Sequence, residues 1–177
     1  MSAYNIGMLI GLIVGIMGGI VLLCLILVLT TKNHKVKRNY DERQELVRGK
    51  GFKYGFITIV AANIFLGFSQ MLFMKPYADT YSLMMLSVGL GVLVDVHYCI
   101  WNDGYFSLNE NPKMFMIIFA IMALIQYIMS FANMAEGLLV VDGMLSYRAS
   151  NLIVAMMLTF TIVDLLIKNA YAKKEDE

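Results

Sequence analysis

The run NIGMLIGLIVGIMGGIVLLCLILVLT (residues 5–30), followed by TKNHKVKRNYDERQELVRGKGFK (31–53), decides the class of fold. The first part carries no charged residue, and a membrane-crossing helix needs about 20 mostly apolar positions. The second part carries Lys32, Lys35, Lys37, Arg38, Arg43, Arg48, Lys50 and Lys53. A cleaved secretory signal has basic residues before a short apolar core. Here residues 1–5 hold no Lys or Arg, and the basic cluster comes afterwards. The pattern predicts a retained anchor with its N-terminus outside.

Working outward, the rest of the chain has the same character. Of 177 residues, 59% are apolar and 15% charged, against about 45–50% and 25% in soluble domains. Mean hydropathy is +0.69. These values exclude a soluble core of this size, a disordered chain and a nucleic-acid-binding surface. Four more apolar stretches of spanning length follow, at about 52–74, 81–101, 114–133 and 150–168. The predicted fold is an all-α integral membrane protein, a five-transmembrane-helix bundle forming a single membrane domain over 1–177. Its N-terminus lies outside and its C-terminus is cytoplasmic.

Orientation follows from the bias of Lys and Arg toward cytoplasmic loops. With five spans, the inner side holds the eight basic residues of 31–53, then Lys113, then Lys168, Lys173 and Lys174. The outside holds only Lys75 and Arg148. Interfacial aromatic residues agree, with Tyr54, Tyr98 and Trp101 inside and Tyr77, Tyr81 and Tyr147 outside. The implied location is the plasma membrane, multi-pass, with the basic loop on anionic lipid of the inner leaflet.

The connections are short. Asn102, Asp103 and Gly104 read as a helix stop, and Asn111 with Pro112 as a cap followed by proline at the first helical position. Residues 133–149 mix the apolar run 138–141 with Glu136 and Asp142. Two readings stand: an interfacial or re-entrant piece, or an early start to the fifth span.

Gly7, Gly11, Gly15 and Gly19 recur every four residues in the first span. That spacing puts them on one helix face, where small residues let another helix approach closely. They are candidates for a helix-association face, either within the bundle or toward a dimer or partner. In the inner loop, Asp41 with Gln44 reads as a capping box opening a short helix, and Gly49 and Gly51 loosen its join to the next span. Asp41, Glu42, Arg43, Gln44, Arg48 and Lys50 are candidates for cytoplasmic docking.

The stretch DERQELVRGKGF (41–52) resembles small uncharacterised membrane proteins of Gram-positive bacteria, in which Asp-Glu-Arg-Gln leads straight into a span. The resemblance covers about 41–56. It implies a companion of transcription regulators or of small transport and immunity systems, and it transfers no site residue.

Asp95 and Asp164 are candidate ion or proton sites, because a charge within a span costs about 2.5–3.5 kcal/mol and normally faces the bundle interior. Both also have structural readings. Asp95 can be a hydrogen-bonded or neutral carboxylate, and Asp164 can pair with Lys168 one turn on. His97 lies two residues from Asp95 and points the opposite way, so no direct pair forms between them. Asn63 and Gln70 on the second span, with Gln126, Ser130 and Asn133 on the fourth, could line an outer polar groove. The same residues could simply bond between helices.

Cys24 and Cys99 both lie in apolar stretches and read as core filler, as do the 15 methionines. No metal-ligand spacing, nucleophile elbow or phosphate loop is present, and no cofactor is implied. The leading expectation is a non-enzymatic accessory or regulatory subunit, with a membrane or cytoplasmic protein or a second copy as partner. One alternative is a small transporter or channel component using Asp95. Another is an immunity protein that captures a peptide in the outer groove.

Overall fold

In the computed structural model, which describes residues 14–15, 17–22, 24–25, 40–73 and 76–175, Asp41 opens helix α1 (Glu42–Leu72). Its carboxylate accepts from the Gln44 amide at 2.6 Å, and Gln44 Oε1 accepts from the Asp41 amide at 3.3 Å. The capping box is therefore formed. The helix it starts does not stop at Gly49. It runs through Gly49 and Gly51 into the span, so loop helix and span are one element.

Helix α2 (Thr80–Trp101) is capped by Asp79, which accepts from the Ser82 amide at 2.6 Å. Helix α3 (Pro112–Ala135) starts behind Asn111 with proline in its first turn. Helix α4 (Ser150–Glu175) follows a 3-10 turn at Tyr147–Ala149. The described residues contain four helices long and apolar enough to cross a membrane. Of the expected first span, only ten residues between 14 and 25 are described, all helical and exposed. Gly7, Gly11, Lys75 and the basic residues 32–38 lie outside the described residues.

Helix α1 packs chiefly on α2, α2 on α4, and α4 on α3. Between helices in lipid there is no hydrophobic drive, so close packing must hold them. The α1–α2 crossing achieves it with glycine. A Cβ on Gly55 would lie 2.7 Å from the Gly91 carbonyl oxygen, and one on Gly91 would lie 2.6 Å from that of Gly55. One turn earlier, a Cβ on Gly51 would meet the Asp95 carboxylate at 2.5 Å. Gly51 thus serves close approach rather than a loose join.

Residues 136–146, between α3 and the 3-10 turn, are not helical, so the expected early start to the last span is replaced there by a hairpin. Val140–Val141 pairs antiparallel with Met144–Leu145 around Asp142 and Gly143, at φ 53° and 77°. Two consecutive left-handed residues make the tight turn that suits strand twist, and Asp-Gly is its favoured sequence. The hairpin also grips the α1–α2 connection. Leu145 N–H donates to Tyr77 O and Asp79 N–H to Leu145 O, both at 2.9 Å. Ser82 Oγ donates to Ser146 O at 2.9 Å.

Leucine at position 55 or 91 would place a side chain where backbone now lies. Gly55→Leu and Gly91→Leu are each expected to cost about 1–3 kcal/mol or more, read as a lower unfolding midpoint in detergent. Gly67 faces open space among the described residues. Gly67→Ala is expected to be neutral or to stabilise by up to about 1 kcal/mol. Equal losses at all three positions would contradict the crossing.

Candidate functional site

The end of the bundle where α1 starts and α2 finishes is held by Asp103, a non-glycine residue at φ 58° just after α2. Its backbone carbonyl accepts from Gln44 Nε2 at 3.0 Å, and that amide also donates to Phe106 O at 3.1 Å. Arg43 Nη2 donates to Asn102 O at 3.0 Å and lies 3.6 Å from the Asp103 carboxylate. Lys168 Nζ reaches the same carboxylate and Ile100 O from α4. The loop after α2 is therefore tied to the start of α1 and to Lys168 of α4. Gln44 is 7% exposed, and its two bonds to backbone contribute about 1 kcal/mol each. Arg43 and Asp103 are solvent-exposed, and such pairs contribute about 0–1 kcal/mol.

Most residues proposed for cytoplasmic docking are thus engaged within the chain. Asp41 and Gln44 cap, and Arg43 and Gln44 hold the loop. Arg48 donates to Tyr40 OH at 3.0 Å and stacks 4.3 Å from the ring centroid. Glu42 and Lys50 remain exposed.

The two span acids occupy separate places. Asp164 on α4 is 5% exposed. Its Oδ1 accepts from Trp101 Nε1 at 2.7 Å, and its Oδ2 lies 2.9 Å from His97 Nδ1. Both donors come from α2, four residues apart and so on one face. The pairing with Lys168 expected from local spacing does not occur, because that ammonium turns to Asp103. A neutral His97 donating through Nδ1 keeps Nε2 as an acceptor. The imidazole is 51% exposed, and Trp101 and Phe160 flank it at 6.0 and 6.4 Å between centroids. This cluster sets an imidazole and an indole N–H against the two oxygens of one carboxyl group.

Asp95 points instead toward α1. It accepts from the Cys99 thiol at 3.4 Å and borders a cavity with Arg48. Among the described residues, no three His, Cys, Asp or Glu side chains converge as a metal ion requires.

The five residues of the expected outer groove are not brought together. Asn63 Nδ2 donates to Ile59 O of its own helix at 2.9 Å, and Gln70 Nε2 to Ala78 O at 2.8 Å. Gln126 is half-buried and Ser130 buried on α3. Asn133 Oδ1 accepts from Arg148 at 3.3 Å. Helices α1 and α3 pack on different partners, so residues of the two do not face each other across a groove.

The His97, Trp101 and Asp164 cluster escaped sequence reasoning. Its signal was one buried acid on a span and two N–H-bearing rings at i and i+4 on another. His97→Ala and Trp101→Phe each deprive a buried carboxylate oxygen of its donor. Each is expected to cost about 1–3 kcal/mol in detergent unfolding, while Lys168→Gln leaves Asp164's partners in place and costs less. A larger loss from Lys168→Gln would return Asp164 to the local pairing. Comparison with family models, curated proteins and solved structures found no match to this chain.

Proposed function

We propose that the chain is a non-enzymatic, five-span protein of a bacterial plasma membrane, acting as an accessory or regulatory subunit by association within the bilayer. In this reading the N-terminus is outside, the C-terminus is cytoplasmic, and the basic segment 32–53 rests on anionic inner-leaflet lipid. The supporting observation is a contrast between two sets of glycines. Gly51, Gly55 and Gly91 are filled by neighbouring groups, whereas Gly15, Gly18 and Gly19 meet nothing within 4 Å among the described residues. The bundle therefore builds its own crossing with one set. The N-terminal set is left for a partner helix from another protein or a second copy.

A photo-crosslinker at Gly18 in cells is expected to capture a discrete protein or a second copy. Gly15→Leu and Gly19→Leu are expected to abolish that capture without changing the unfolding midpoint. Capture of lipid alone, or capture unaffected by leucine, would remove this reading.

A second reading, proton- or ion-coupled transport, is favoured by the buried Asp164 carboxylate with its imidazole neighbour. It places the coupling group at Asp164 rather than Asp95. Wild-type protein in liposomes is expected to carry a proton- or ion-coupled flux that Asp164→Asn abolishes. Absence of flux from wild type under imposed proton and cation gradients would end it.

A further inference from the structure

Neither reading uses the cavity at the inner end of α1 and α2. It measures about 210 Å³ and lies between α1, α2, the α2–α3 loop and the start of α3. Arg48 and Asp95 present opposite charges to it, and Phe52, Tyr105, Phe106 and Phe115 supply aromatic walls.

The two charges face the cavity without meeting. Among the described residues Asp95 accepts one hydrogen bond, from the Cys99 thiol at 3.4 Å, and a thiol is a weak donor. Gly51 packs against its Oδ1, which removes water from that side. An ionised carboxylate in such a place calls for a cation or strong donors. Arg48 does not supply them. It makes no ion pair with Asp95, and Tyr40 holds it by hydrogen bond and ring stacking. A guanidinium has five N–H donors, so most of its capacity is left for another group. Glu110 also borders the cavity, but its Oε2 accepts from the Ser107 amide at 2.8 Å within its own loop.

We propose that this cavity binds a small zwitterion, with its ammonium beside Asp95 and its anionic end beside Arg48. The aromatic walls suit the ammonium, since ring faces attract cations. An engineered cavity of about 150 Å³ holds benzene, so this one, at about 210 Å³, takes about eight non-hydrogen atoms. Arg48 and Gly51, which marks the Asp95 carboxylate, are about one turn apart on α1. The two ligand charges are therefore separated by a few bonds, as in a short ω-amino acid or an ethanolamine phospholipid headgroup.

The test uses full-length protein in mild detergent, with thermal unfolding followed during titration with 5-aminovalerate, n-pentylamine or valerate. Saturable stabilisation by 5-aminovalerate is expected, weaker by pentylamine and absent with valerate. Arg48→Gln is expected to weaken the apparent affinity for 5-aminovalerate about tenfold or more, and Asp95→Asn to remove the response. In parallel, co-purified lipid is identified by mass spectrometry. Retained phosphatidylethanolamine, lost in Asp95→Asn, with no response to 5-aminovalerate assigns the site to a headgroup rather than a free solute. If neither 5-aminovalerate nor phosphatidylethanolamine binds the wild type, the proposal is overturned. An equal response to valerate and 5-aminovalerate overturns it too, and that comparison needs no variant to fold.

Discussion

Backbone contact between α1 and α2 at Gly55 and Gly91 is the constraint on which the half of the molecule around Gln44, Asp95 and Asp103 depends. In lipid, helices gain nothing from hiding apolar surface from one another, so they must fit at close range to stay together. Glycine at both positions lets carbonyl oxygen approach Cα directly. The same closeness is propagated along α1. Gly51 comes against the Asp95 carboxylate, and Gln44, two turns earlier, reaches the carbonyls of Asp103 and Phe106. A wider crossing would leave that amide short of its acceptors.

Helix α2 is then the middle of the assembly, with different chemistry on its two faces. Gly91, Asp95 and Cys99 recur every four residues toward α1, while His97 and Trp101 address Asp164 on α4. Each acid faces a different neighbour, so the two carboxyl groups lie on opposite sides of α2 or beyond it. Gln44, Asp95, Asp103 and Asp164 all gather toward the end where α1 starts. The opposite end is closed by backbone pairing between the hairpin and the α1–α2 connection.

What could be read from the residues was what is local. Long apolar runs marked the described helices, Asp41 and Gln44 marked a start, and Asn111 with Pro112 marked another. The Asp142-Gly143 turn was also legible, but Leu138 to Val141 drew it toward a membrane reading. The remainder is tertiary. Lys168 sits one turn from Asp164 and looked like its partner, yet only the position of Asp103 tells where that ammonium goes. The outer groove assumed that α1 faces α3, and helix order is not written in any one span. Glycine spacing was equally ambiguous. The four-residue repeat at 7–19 drew attention, while Gly55 and Gly91, on different helices, made the contact.

The crossing can be tested directly by magic-angle-spinning NMR on protein carrying carbon-13 glycine, reconstituted in lipid. Gly55 and Gly91 are far apart in sequence and touch only if α1 and α2 cross as described. A cross-peak between the Gly55 carbonyl and Gly91 Cα is the expected result. Assigned Gly55 and Gly91 signals that correlate only within their own helices would contradict the account.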